Sequence, residues 1–205
     1  QHTMMCLATA FATGGAVVVA QYRGKQDPEN LVFGALFTER VVESVDDIES
    51  VVSDDTQVSV VTKNPYTILL SRKTVLAGCG GASSFLDSGK LGTIVSVPDV
   101  SLDTAKMAAV LVPESVWFAG GLFDVSGNLI CLAEDISSQN VFDQLIGYAL
   151  RNGVDLSKTF AVLKGNCVVE SMRKAVIAGI PVLFVTGALT AASKNTADEA
   201  GLLLL

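Results

Sequence analysis

The sequence predicts an α/β fold, a parallel or mixed sheet covered by helices, preceded by a smaller α+β part. Three observations predict it. From residue 139 onward, strand-like and helix-like segments alternate over short loops, the pattern of crossover connections in a layered sheet. Just before that, the apolar runs Trp117 to Asp124 and Leu129 to Ala133 flank Ser126-Gly127-Asn128, the signature of a hairpin. The first 70 residues instead hold short β-rich runs around one capped helix. The chain therefore divides into 1–70 and 71–205, without linker, repeat or low-complexity segment, and the two parts are expected to form one continuous unit.

Met4 to Ala20 is apolar, but it contains Thr and two glycines, no basic residue precedes it, and it is at the short limit for a bilayer span. Val17-Val18-Val19 makes it a core strand. Asp27-Pro28-Glu29-Asn30 starts a helix, with a capping carboxylate, Pro at the first position and acid in the first turn. That helix runs to about Arg40, with Leu31, Phe33, Leu36 and Phe37 inward. Glu43, Asp46, Asp47 and Glu49 form a solvated acidic face near a second short element. Gln57 to Thr62 alternates as a strand, and the Asn64-Pro65 turn leads to another, Tyr66 to Leu70. Leu91 to Val97 is expected as a strand. Ser101 to Val110 is expected as a helix with Leu102, Ala105, Ala108 and Ala109 at helical spacing. After the hairpin, Gln139 to Asn152 places Val141, Leu145, Ile146 and Ala149 on one helix face. Thr159 to Leu163, Pro181 to Val185 and Leu202 to Leu205 are strands, and Val168 to Ala178 and Thr190 to Ala200 are helices. Ligands of such sheets bind beyond the carboxyl ends of strands, near helix N-termini.

Composition narrows function. At 205 residues with half of them hydrophobic and 17% charged, the chain can bury a substantial core. A net charge of −7 argues against general nucleic-acid binding. Cys6, Cys79, Cys131 and Cys167 are far apart and lack metal-ligand spacing, so reduced thiols in a cytoplasmic protein are expected. His2 is the single histidine, which argues against a Ser-His-Asp triad. The chemistry instead points to Gly78-Cys79-Gly80-Gly81-Ala82-Ser83-Ser84. Glycines let another molecule approach the backbone, peptide N–H groups can cradle an anion, and a thiol there can be held as the nucleophilic thiolate. A tight turn with a space-filling cysteine is the plain alternative.

Four blocks in order then resemble one family, the formate dehydrogenase accessory sulfurtransferases (FdhD). Leu31 to Val42 with Asp46-Asp47-Ile48 resembles the family's ELAxGFLxxEGIIxSxDDI, and Cys79-Gly80-Gly81-Ala82-Ser83 its CGxCGKAS loop. Leu122-Phe123-Asp124 and the run from Glu134 to Gly147 resemble ALFD and EDVGRHNAVDKVIG. Gly165 through Glu170, Lys174-Ala175, Ala178 to Leu183, Thr190 and Ala200-Gly201-Leu202 are similar to SGRxSxEMVxKAxxAGIPVLxSxSAPTxxAxxLAxxxGLTL.

The resemblance implies a three-layer, cytidine-deaminase-like α/β/α fold. It implies transfer of persulfide sulfur from a cysteine desulfurase to the molybdenum cofactor (molybdopterin guanine dinucleotide), a bound client destined for formate dehydrogenase. Cys79 is then the sulfur carrier, with Gly78, Gly80, Gly81, Asn140, Lys164 and Gly165 at the cofactor. Lys164, Arg173 and Lys174 are either positive potential for that anion or surface charge. No zinc is expected, because the deaminase signature is absent. Cys131 and Cys167 are expected in the core, Glu134-Asp135 as a cap, and Asn140 and Asp143 as fixing a helix start. A homodimer is expected, without nucleic acid or membrane.

The sequence also departs from the family. One of the loop's two cysteines is missing: Leu76 or Ala82 stands in its place, according to the alignment. Ser137, Ser138 and Gln139 replace Gly, Arg and His, Gln144 replaces Lys, Phe118 a His, and Asn166 the Arg of SGR. Neutral groups do not reproduce charged contacts to phosphate. A cofactor-binding module without sulfur transfer, or a silent scaffold relative, is therefore the alternative.

Overall fold

The structure, a computed structural model, describes residues 5–12, 15–21, 27–54, 57–63, 76–77 and 91–205. The first sheet is antiparallel throughout. β1 (Met5–Ala12) pairs with β2 (Gly15–Gln21), so the apolar run expected as one strand is two, in register from Ala12 opposite Gly15 to Cys6 opposite Gln21. β3 (Ile48–Ser53) and β4 (Gln57–Thr62) extend it on the β2 side, and β5 (Leu76–Ala77) on the β1 side, giving the order β3-β4-β2-β1-β5. The expected Tyr66 to Leu70 strand lies outside the described residues.

Helix α1 (Pro28–Thr38) begins as its sequence dictates: the Asp27 carboxylate accepts the Glu29 and Asn30 N–H groups at 3.0 and 3.4 Å. Its Leu31, Val32, Ala35 and Leu36 bury against Val58 and Val60 of β4. The acidic stretch is part cap, because the Asp47 carboxylate accepts the N–H groups of Glu43 and Ser44 at a single 3-10 turn, Val45–Asp47.

The second sheet is mixed. β6 (Phe118–Asp124) lies between β7 (Leu129–Asp135) and β8 (Thr159–Lys164), antiparallel to both, while β9 (Val182–Val185) and β10 (Leu203–Leu204) continue parallel to β8. Alternation along β8 feeds two cores. Ala161 and Leu163 join Leu122 and Leu183 under α3 (Ser138–Arg151), α4 (Val169–Ile177) and α5 (Ala191–Ala200). Phe160 and Val162 join Phe123 and Val182 under α2 (Leu102–Leu111), through its Ala105, Ala108 and Ala109. That is an α/β/α sandwich. No helix among the described residues is long and apolar enough to cross a membrane.

The expected strand from Leu91 to Val97 does not form. The segment is irregular, with the Ile94 N–H bonded to the Ala200 carbonyl at 2.8 Å and Val95 96% exposed. Its apolar Leu91 and Ile94 pack on the core from outside, with no neighbouring strand among the described residues to complete a ladder.

Helix α1 is joined to the main sheet by α3, and glycine permits it. A Cβ on Gly34 would collide with the Asp143 carbonyl, and one on Gly147 with the Asn30 carbonyl, so the two backbones touch. Arg151 closes one end of this crossing, reaching the Asp27 and Glu29 carboxylates and the Asn30 amide oxygen, and lying 5.4 Å over the Phe33 ring. At the other end sits a buried ionic cluster: the Lys174 ammonium, from α4, donates to Asp143 at 2.8 Å and to Thr38 at 2.9 Å, with Glu39 at 3.6 Å. Lys174 is therefore neither surface charge nor free potential for a ligand.

Candidate functional site

The register brings three helix N-termini to one edge. Ala119 lies opposite both Lys164 and Glu134, so the end of β7, the start of β6 and the end of β8 share that edge. The end of β9 joins them, with Val185 beside Leu163. From here α3, α4 and α5 all depart, aiming their positive dipole ends at a common region. Two of them cap themselves: Ser137 Oγ accepts the Gln139 N–H, and Thr190 Oγ1 accepts the Ser193 N–H. Helix α4 does not, because its N-cap position is Val168, which has no side-chain acceptor. Its first-turn N–H groups are the ones an anionic ligand would find free of a side-chain cap, although Glu170 in that turn offsets part of the dipole.

The loops around α4 interlock. Gly165 has φ +123°, where a Cβ would also strike the Phe118 ring, and a Cβ on Gly187 would strike the Gly165 carbonyl. Asn166 Oδ1 accepts the Ala188 N–H at 2.8 Å, the Cys167 N–H donates to the Ala188 carbonyl at 2.9 Å, and Ser193 Oγ donates to the Cys167 carbonyl at 2.8 Å. Asn166, at the position of the family's arginine, thus ties two loops together.

Asp135 is the hub of the β7–α3 corner. Buried to 6% exposure, it accepts the Ser137 N–H at 3.2 Å, Asn140 Nδ2 at 3.0 Å and Gln144 Nε2 at 3.1 Å. The acidic pair expected as a cap is here divided: Asp135 holds the corner, while Glu134 is exposed. Asn140, expected at the cofactor, is buried and spends its amide on Asp135. Lys164, expected at the cofactor, ends β8 at this edge, and its ammonium binds the exposed Glu114 carboxylate. Ser138, at the other arginine position, is buried in a 2.7 Å hydroxyl pair with Ser171. Nothing in the sequence pattern distinguished these anchoring roles from ligand contacts; the Val168 cap position was legible, as an apolar residue where Ser, Thr, Asp or Asn is the rule.

Cys79 with Gly78, Gly80 and Gly81 lies outside the described residues. The flanks of that loop belong to different sheets: Ala77 pairs with Met5 in the first, and Leu91 packs on the core of the second. Among the described residues no cluster could hold a metal ion. The other measurable thiols are inert by environment. Burial pushes Cys131 and Cys167 up to about 12, so neither is a thiolate near neutral pH. Alkylation of the folded protein near neutral pH is expected to leave both unmodified in peptide mass mapping until the chain is denatured.

The arrangement has relatives. A family model described as the FdhD/NarQ family matches residues 8–205. A Thermoplasma acidophilum protein named Sulfur carrier protein FdhD is 28% identical over 194 residues, covering 85% of this chain and 68% of its own. One of the same name from Nocardia farcinica is 40% identical over 88 residues, which is 42% of this chain and 32% of its own. In structure, the chain is similar to a protein described as a formate dehydrogenase accessory protein from Desulfotalea psychrophila. The TM-score is 0.65 at 16% identity, covering 100% of this chain and 92% of that one.

Proposed function

The chain belongs to the FdhD/NarQ family, and from that premise we propose that it carries sulfur as a persulfide on Cys79 for the maturation of formate dehydrogenase. The donor is the cysteine persulfide of a desulfurase. The Cys79 thiolate attacks its sulfane sulfur, a new S–S bond forms, the old one breaks, and the desulfurase cysteine leaves as thiolate. The acceptor is the molybdenum cofactor, an anionic client suited to the edge where α4 starts without a side-chain cap. Delivery as sulfide needs two electrons. With the loop's second cysteine missing, an external thiol supplies them and is left in a disulfide with Cys79.

The observation that carries this reading is the retention of Cys79 in a family match running from residue 8 to residue 205. The raised thiols of Cys131 and Cys167, held un-ionised near neutral pH by desolvation, support it by making these two poor competitors. Incubation with a cysteine desulfurase and cysteine is expected to add about 32 Da, one sulfur atom, to the intact protein. The gain disappears in Cys79→Ala. An adduct surviving that substitution, or none in the parent, sinks the proposal.

The second reading, a binding module without sulfur transfer, is favoured by one observation. Ser138 and Asn166, at two arginine positions of the family pattern, are both spent on internal hydrogen bonds. Co-purified pterin or guanine nucleotide without a sulfur adduct would select it.

A further inference from the structure

Among the described residues β7 is the outermost strand of the mixed sheet, paired by β6 on one side and by no strand on the other. Soluble proteins guard such an edge with Lys, Pro, a bulge or a short strand. β7 has seven residues and neither Lys nor Pro, its charges are confined to its last two positions, Glu134 and Asp135, and its Leu129 and Leu132 are 43% and 44% exposed. Its register shift lies at the turn end, between the Leu122–Cys131 and Phe123–Leu129 pairs, and the pairing from Cys131 to Asp135 is unbroken. An open cleft of about 350 Å³ follows this edge, lined by Leu132, Ala133 and Glu134 of β7, by Pro113 beyond α2, and by Asp27 and Tyr148 from the α1–α3 side. The cleft thus lies along backbone that no strand among the described residues pairs, between the helical layers that cover the two faces of the sheet.

We propose that this groove takes an extended, basic segment of a partner protein as an added strand on β7. Backbone bonding to an open edge supplies affinity, and alternate side chains supply specificity. Charge selects the occupant. The Glu134 carboxylate is exposed and has no partner among the described residues, whereas Asp27 is already paired with Arg151, and the chain carries −7. A second copy would bring the same unpaired Glu134 and the same net charge to the edge, whereas Lys or Arg on every second residue of a partner strand meets Glu134 favourably. This surface is independent of the sulfur chemistry of Cys79.

The probe is a fluorescein-labelled peptide of about eight residues alternating Lys and Val, long enough for one strand. A peptide of equal charge interrupted by Pro, and an alternating Glu-Val peptide, serve as controls. The Lys-Val peptide is expected to bind in anisotropy titrations, to slow amide exchange across residues 129–135, and to lose about tenfold in affinity on Glu134→Lys. Equal binding of the Pro-interrupted peptide, or affinity unmoved by Glu134→Lys, overturns the proposal by reducing it to general charge attraction. No binding overturns it, as do outward amides of 129–135, those not bonded to β6, already protected without peptide. A stable dimer that Leu132→Lys dissociates overturns it in favour of a second copy.

Discussion

Gly147→Ala is expected to lower stability by about 3 kcal/mol and the melting temperature by about 6–12 °C, although alanine is the better helix former. The direction follows from competition between two effects. In an unconstrained helix, replacing glycine by alanine gains roughly 1 kcal/mol, and both Gly34 and Gly147 sit inside helices. Here the added methyl meets backbone: the Asn30 carbonyl at Gly147, and the Asp143 carbonyl at Gly34. A rotamer change cannot relieve such overlap, so α1 must lift from α3. The Arg151 contacts at one end and the Lys174 cluster at the other then move together. Gly34→Ala should cost a similar amount, and the double variant less than the sum, because both act on one crossing. Gly92→Ala is the control, having nothing within 4 Å of its added Cβ. Urea unfolding of the parent and the four variants checks the order. A near-neutral Gly147→Ala would mean that the helices do not touch backbone to backbone.

That crossing also shows what the sequence could convey. The caps and periodicities were legible because they are local. Asp27-Pro28 opens α1, Ser101 opens α2 and Thr190 opens α5, each through its own side chain. The β6–β7 hairpin and the alternation after it follow from spacing alone. Gly34 and Gly147 lie 113 positions apart (147 − 34), and neither is abnormal by itself. Their meaning appears only when each faces the other helix. The Leu91 to Val97 segment failed for the opposite reason. Its composition suits a strand, but a strand needs a neighbour, and pairing is non-local. The site divides in the same way. Its location at the carboxyl edge followed from topology rules, whereas the commitment of Asn140 to Asp135, of Lys164 to Glu114 and of Asn166 to Ala188 could be read only in three dimensions.

Lys174→Met is expected to cost about 3–5 kcal/mol, because it leaves a buried carboxylate without its cation. Asp143 is 1% exposed, and two of its direct donors are the Lys174 ammonium and the Thr38 hydroxyl, each at 2.8 Å. Burial already pushes the Asp143 carboxyl above its usual value, against the downward pull of Lys174 and Thr38 and with an upward push from Glu39. Without the ammonium the main downward pull is gone, and Asp143 rises further. The sign of the pH effect follows from linkage. A folded-state value above the unfolded one means that the folded protein holds the proton more tightly. The penalty of Lys174→Met should therefore shrink as pH falls from neutral through that raised value. It should level off below the ordinary carboxylate range, where the unfolded chain is protonated as well. The parent, with its cation in place, should show a weaker dependence. A second variant separates charge from packing: Asp143→Leu combined with Lys174→Met removes the closest ion pair, and should recover most of the loss, with the Glu39 carboxylate left without its cation. Denaturant midpoints of the parent, the single and the double variant across the acid range decide the matter. A pH-independent deficit in the single variant, or no recovery in the double, would make Lys174 a packing residue whose charge is incidental.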